Sequence, residues 1–153
     1  HHPGPFHGCF GQAQVAPRPA TRPSAVVSLG VGLAAPAAQA FAVRVRESGL
    51  APAWTSSLRD LAHGSFLALT PGAWIVAFAL ADQVTAVRAQ LAHLPPDLSL
   101  AVLAEPSDDA VGALGLFGQG LLTLDDALRG FGVAPTRADV PDWGARLYRA
   151  VLD

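Results

Sequence analysis

Residues Ala73–Leu80, AWIVAFAL, form an unbroken apolar run between the turn pair Pro71-Gly72 and the acid Asp82. A strand with one wet face alternates apolar and polar side chains. A continuous run of this length suits a strand covered on both faces, the position of a central strand in a parallel sheet. Parallel neighbours need crossover connections, usually helices, so this stretch commits the chain to alternating strands and helices.

The flanking sequence agrees. Ala25-Val26-Val27-Ser28-Leu29 reads as a short buried strand, and Gly30-Val31-Gly32 as the turn at its carboxyl end. Pro36 falls in the first turn of the following helix, where its missing N–H costs nothing, and Gly49 stops that helix after Ser48. Gly30-x-Gly32-x-x-Ala35 is a partial dinucleotide fingerprint, but no β-run ending in Asp or Glu occurs over Leu50 to Ser56, where a ribose-binding acid is due. Leu58 to His63 fits one helical turn. Asp82 is expected to cap a helix running to Leu94, with Val84, Val87, Leu91 and Leu94 on one stripe. Leu98 to Ala104 reads as a strand. Ser107-Asp108-Asp109 opens a short helix to Leu116, and a second helix follows over Leu121 to Arg129, with Asp125 and Asp126 on its outer face. Asp142 to Leu152 closes the chain as an amphipathic helix. The expected fold class is α/β: a three-layer α/β/α sandwich with a mostly parallel, flavodoxin- or Rossmann-like sheet. Ligands of such sheets bind beyond the carboxyl ends of the strands.

The chain has 153 residues, enough for one domain with a real core. Residues 1–24 are broken by Pro and Gly and read as a flexible tail or interdomain remnant; residues 25–153 form the single domain. His1, His2, His7 and Cys9 in that tail lack a spaced second half of a metal site, so no metal is expected. The net charge of −2 offers no basic field for nucleic acid. The single cysteine precludes an internal disulfide framework, and no apolar run is long enough to span a membrane. A signal-peptide reading of Arg18 to Ala40 is possible in outline, but Gly30 and Gly32 interrupt the apolar region and the helix runs on past Ala40. The chain opens on His rather than Met, which suggests a fragment, a processed chain or an internal start.

Three segments together carry a resemblance. Gly30-Val31-Gly32, then Pro36 and a helix ending in Arg44-Val45-Arg46-Glu47, then Ala62-His63-Gly64-Ser65 before the strand at Trp74, resemble the sugar isomerase (SIS) domain. The likeness is to the second isomerase lobe of glutamine–fructose-6-phosphate aminotransferases and related amino-sugar phosphate deaminases. The spacings Gly30 to Glu47 and Glu47 to His63 match the family pattern without gaps. The resemblance implies that Glu47 moves a proton between adjacent sugar carbons and that His63 assists ring opening, the two meeting at the carboxyl end of the sheet or across a dimer. It implies substrate contacts from Arg44, Gly30 and Gly32, and from Arg149 in place of a C-terminal lysine. Arginine keeps that charge but cannot serve as an amine nucleophile.

The expectation is thus a phosphosugar isomerase, aminotransferase or deaminase lobe, cytoplasmic, with a sugar-phosphate substrate, no cofactor and a homodimeric assembly. Val31, Ala62 and Ser65 depart from the family's arginine, basic residue and proline. The Ser/Thr-rich phosphate loop of the family's first lobe has no counterpart here: Ala81-Asp82-Gln83-Val84-Thr85 follows the central strand. A non-catalytic sugar-phosphate-binding or regulatory module is the first alternative. A cysteine-less thioredoxin-like domain is the second; it leaves residues 25–48 unused and calls for an antiparallel hairpin near 120–130.

Overall fold

The computed structural model describes residues 15–134. Its strands are β1 (Val26–Gly30), β2 (Ala53–Ser56), β3 (Trp74–Leu80) and β4 (Ser99–Glu105), and its helices α1 (Ala35–Ser48), α2 (Leu58–Ala62), α3 (Val84–Leu91) and α4 (Ala110–Gly130). The four strands are all parallel, in the order β2–β1–β3–β4. Every residue of β1 and β3 is buried, whereas the outer strands β2 and β4 are mixed. The apolar run thus occupies the interior position its composition demands.

One face of the sheet, with Val26, Trp74, Val76 and Phe78, packs against Phe41 and Val45 of α1 and Leu116 and Leu124 of α4. The other face, with Val27, Leu29, Ile75 and Ala77, packs against Leu61 of α2 and Val87 and Leu91 of α3. Burial of each large side chain stabilises by about 1.5–3 kcal/mol. The result is the expected α/β/α sandwich. It excludes the thioredoxin-like alternative, because β1 pairs in parallel with both β2 and β3, and residues 120–130 lie within α4.

Four local expectations differ. Residues 15–24, expected within a flexible tail, pack on the domain: Ala16 is buried and its N–H donates to the Thr123 hydroxyl at 3.2 Å, and Arg22 donates to the Gly49 and Leu50 carbonyls. The strand β2 is not expected from the sequence; it is a four-residue edge strand, too short to show a period. Asp82 does not cap α3: the helix begins at Val84 after Gln83, and no side chain caps it. The two helices expected over 107–129 are one helix, α4, of 21 residues. It opens where expected, with the Asp109 carboxylate accepting from the backbone N–H of Val111 and Gly112, each at 3.0 Å. It then continues through its central glycines because packing holds it: a Cβ at Gly120 would lie 3.0 Å from the Phe78 ring.

The packing of α1 onto β1 is tight. The Ser28 hydroxyl donates to the Ala38 carbonyl at 2.7 Å, fully buried. A Cβ on Gly30 would sit 2.6 Å from Ala35 Cα and 2.9 Å from the Ala34 carbonyl oxygen. No flexible group is available there to move aside. Gly118 of α4 meets nothing within 4 Å of its missing Cβ. The two glycines therefore predict opposite signs in urea denaturation. Gly30→Ala should destabilise by about 1–3 kcal/mol through overpacking. Gly118→Ala should stabilise by about 0.5–1 kcal/mol, because alanine is the better helix former. A neutral Gly30→Ala would show that the helix can lift off the strand at no cost.

Candidate functional site

The chain leaves β1 for β2 on one side and β3 for β4 on the other, so the sheet changes direction between β1 and β3. Connections diverge there, and the crevice above the carboxyl ends is the general ligand position of such sheets. Gly30-Val31-Gly32 forms one wall. Gly32 has φ 53°, in the left-handed region, which lets the backbone fold at once into a short 3-10 turn, Gly32–Ala34. Across from it stands Gln83: a Cβ on Gly32 would lie 3.4 Å from its amide nitrogen. Gln83 belongs to no motif, and nothing in the sequence pattern marks it. Beside the crevice, an apolar groove of about 380 Å³ runs between the starts of α1 and α4, lined by Leu33, Pro36, Ala37, Leu114 and Phe117.

The charged candidates lie elsewhere. Glu47 sits in the last turn of α1, a helix of 14 residues. At 1.5 Å per residue that places it about 20 Å from the glycine turn, toward the amino ends of the strands. Its carboxylate accepts from the Arg44 guanidinium at 2.7 Å, and both side chains are more than half exposed. Such a pair stabilises by under about 1 kcal/mol, so it can open at little cost. His63 follows α2, on the opposite face of the sheet from α1. Its Nδ1 lies 2.8 Å from the Arg59 carbonyl oxygen. The structure therefore brings Arg44 and Glu47 together, and Gly30 and Gly32 together, but it does not bring Glu47 to His63 or to the carboxyl-end crevice. The reason is the connectivity: a crossover helix that starts at one end of a parallel sheet must finish at the other. Arg149 lies outside the described residues.

A carboxylate and an imidazole can exchange protons with a sugar's carbon and ring oxygen near neutral pH. Within one chain these two groups act on different surfaces. Among the described residues, no group of three or more His, Cys, Asp or Glu side chains is placed to hold a metal ion, and no helix is long and apolar enough to cross a membrane.

No family model matches the sequence, and no curated protein matches it. Solved structures do match its fold. A candidate phosphosugar isomerase involved in capsule formation, from Bacteroides fragilis, aligns at TM-score 0.56 and 16% identity over 69% of each chain. The C-terminal domain of glucosamine-fructose-6-phosphate aminotransferase from Francisella tularensis aligns at TM-score 0.55 and 16% identity, over 75% of this chain and 38% of the other. Glucosamine-6-phosphate deaminase from Thermotoga maritima aligns at TM-score 0.55 and 18% identity, over 74% and 38%. The fold is that of the sugar isomerase domains, and the chain spans about two fifths of the latter two proteins.

One titration is predictable beside the crevice. The Asp109 carboxyl is held below its ordinary value, first by the Ser107 hydroxyl and then by the backbone N–H groups of Gly112 and Val111. A carboxyl depressed in the folded state adds stability above its unfolded value, near 3.9. That stability is lost as pH falls through the lower folded value. Asp109→Ala should therefore unfold earlier than the parent in urea at pH 5–7, and the difference should shrink below about pH 4. A gap that stays constant down to pH 2.5 would remove the carboxylate's charge from the cap.

Proposed function

We propose that this chain is a sugar-isomerase-type lobe that binds a phosphosugar and, together with a first lobe, moves a proton between adjacent sugar carbons. The observation that carries the reading is the coincidence of the β1–glycine turn–α1 unit with Arg44, Glu47 and His63 at the family's spacings, within a fold shared by phosphosugar-handling domains. In this role Glu47 takes the carbon-bound proton and returns it to the neighbouring carbon. Arg44 leaves its ion pair to meet substrate oxygen, and His63 handles the ring-oxygen proton. Because His63 and Glu47 lie on opposite faces of one chain, the reading requires a second copy, which would supply its own histidine to this site. The proposed setting is a cytoplasmic homodimer of two-lobe subunits acting on an amino-sugar phosphate or its ketose precursor.

A second reading, a sugar-phosphate-binding module without chemistry, draws on two observations. Glu47 is occupied by Arg44, and Val31, Ala62 and Ser65 replace three family residues.

The test joins this chain to a complete first lobe and follows fructose-6-phosphate turnover for the parent and Glu47→Gln. Loss of a proton-transfer group should lower kcat by about a hundredfold or more, with KM little changed. Equal kcat in both proteins would sink the catalytic role of Glu47. Turnover absent from both, with sugar phosphate still bound, would favour the binding module.

A further inference from the structure

At the amino ends of the strands, beyond the last turn of α1, an open recess of about 510 Å³ is lined by Arg22, Arg46, Gly49, Leu50, Ala51 and Pro52, with Pro23 at its edge. Its two guanidinium groups are fixed in place. Arg22 donates through Nε to the Leu50 carbonyl at 2.9 Å and through Nη2 to the Gly49 carbonyl at 2.7 Å. Arg46 donates through Nη1 to the Ala53 carbonyl at 2.8 Å. Neither has a carboxylate partner among the described residues, where the ion pairs are Arg18–Asp126, Arg44–Glu47 and Arg129–Asp125. The nearest acid in sequence, Glu47, is already neutralised by Arg44. The recess thus holds two full positive charges whose only partners among the described residues are backbone carbonyls.

We propose that this recess is an anion site, and that its ligand is a phosphate monoester. The backbone carbonyls hold each guanidinium by part of its donor set and leave its remaining N–H groups for the recess. A guanidinium presents paired donors that match phosphate oxygens. The carboxyl end of α1 opposes an anion, but by only about half an elementary charge against two full ones. Because the ligand is gripped by arginine, its affinity follows its own ionisation. A monoester loses its second proton near pH 6, so binding should strengthen from pH 5 to pH 7.5. This deepens the proposed function, on which it rests for the sugar part of the ligand: the phosphate grip, absent from the loop after β3, would be supplied at the Glu47 end of the lobe. The anion site itself stands without that reading.

The test titrates the full chain with inorganic phosphate and with fructose-6-phosphate by calorimetry, and repeats this with Arg46→Ala, Arg22→Ala, Arg46→Lys and Arg88→Ala. Arg88 is an exposed arginine of α3 outside the recess, a control for net charge. The expected result is saturable binding of both ligands to the parent, weakened at least tenfold by Arg46→Ala and by Arg22→Ala. Arg46→Lys should be partly restored, and Arg88→Ala unchanged. Far-ultraviolet circular dichroism and melting temperature confirm that Arg46→Ala, which loses a single backbone contact, stays folded. Absence of saturable phosphate binding to the parent overturns the proposal, as does an equal loss in Arg88→Ala and Arg46→Ala. Phosphate bound in the recess with no two-lobe turnover would instead refute the enzyme reading and leave this site standing.

Discussion

The approach of α1 onto β1 is the contact on which the rest of the sandwich depends. Gly30 lets the helix backbone come within the distance of a missing methyl, and Ala34, Ala37, Ala38 and Ala42 keep the facing helix surface thin. Ser28 then ties the strand to the helix through a buried hydrogen bond. A buried hydroxyl without a partner would be costly, so this bond selects the register as well as the distance. With α1 drawn in, Phe41 reaches both Trp74 and Phe78, at ring separations of 6.0 and 5.5 Å, and the central strand is covered. A bulkier residue at Gly30 would lift the helix from all of these partners together.

The same rigidity divides the chemistry of the lobe. A packed helix cannot shorten, so the glycine turn and Glu47 stay at opposite ends of α1. The turn end holds Gly32, Gln83 and an apolar groove, with the Asp109 carboxylate beside it. The far end holds Arg22, Arg44, Arg46 and Glu47. His63 belongs to neither, because α2 crosses the other face of the sheet.

Much of this architecture was legible from the chain because it is written in local patterns. The β3 run is apolar without a break, as suits a strand buried on both faces. Pro36 and Gly49 mark α1 because each suits one backbone position, the latter at φ 69°. The features that escaped are those set by tertiary contact. β2 has four residues and borrows its conformation from pairing with β1. The glycines of α4 look like breaks in sequence, yet Gly120 serves as a seat for Phe78. Gln83 matters only because it faces Gly32 across the switch in strand direction. Of the candidate site, Arg44, Glu47 and His63 are candidates through the family resemblance, which names residues and not their arrangement. Their separation is not legible there, because spacing along a chain does not tell which face of a sheet the next helix will take.

That separation bears on what a single lobe can do. General acid–base catalysis requires each group within hydrogen-bond reach of its proton. Glu47 and His63 are held apart by a sheet whose two faces are packed with buried side chains. Side-chain motion cannot close such a gap, and moving α2 to the other face would unmake the fold. Any reaction that uses both at one site must therefore draw its histidine from a second copy of the chain. A surface arriving at the Glu47 end would cover exposed arginines as well as the acid, so it must carry negative charge or trap an anion there. The charge at that end would constrain any such surface as strongly as the acid–base groups do: an apolar surface alone would leave buried guanidinium charge uncompensated.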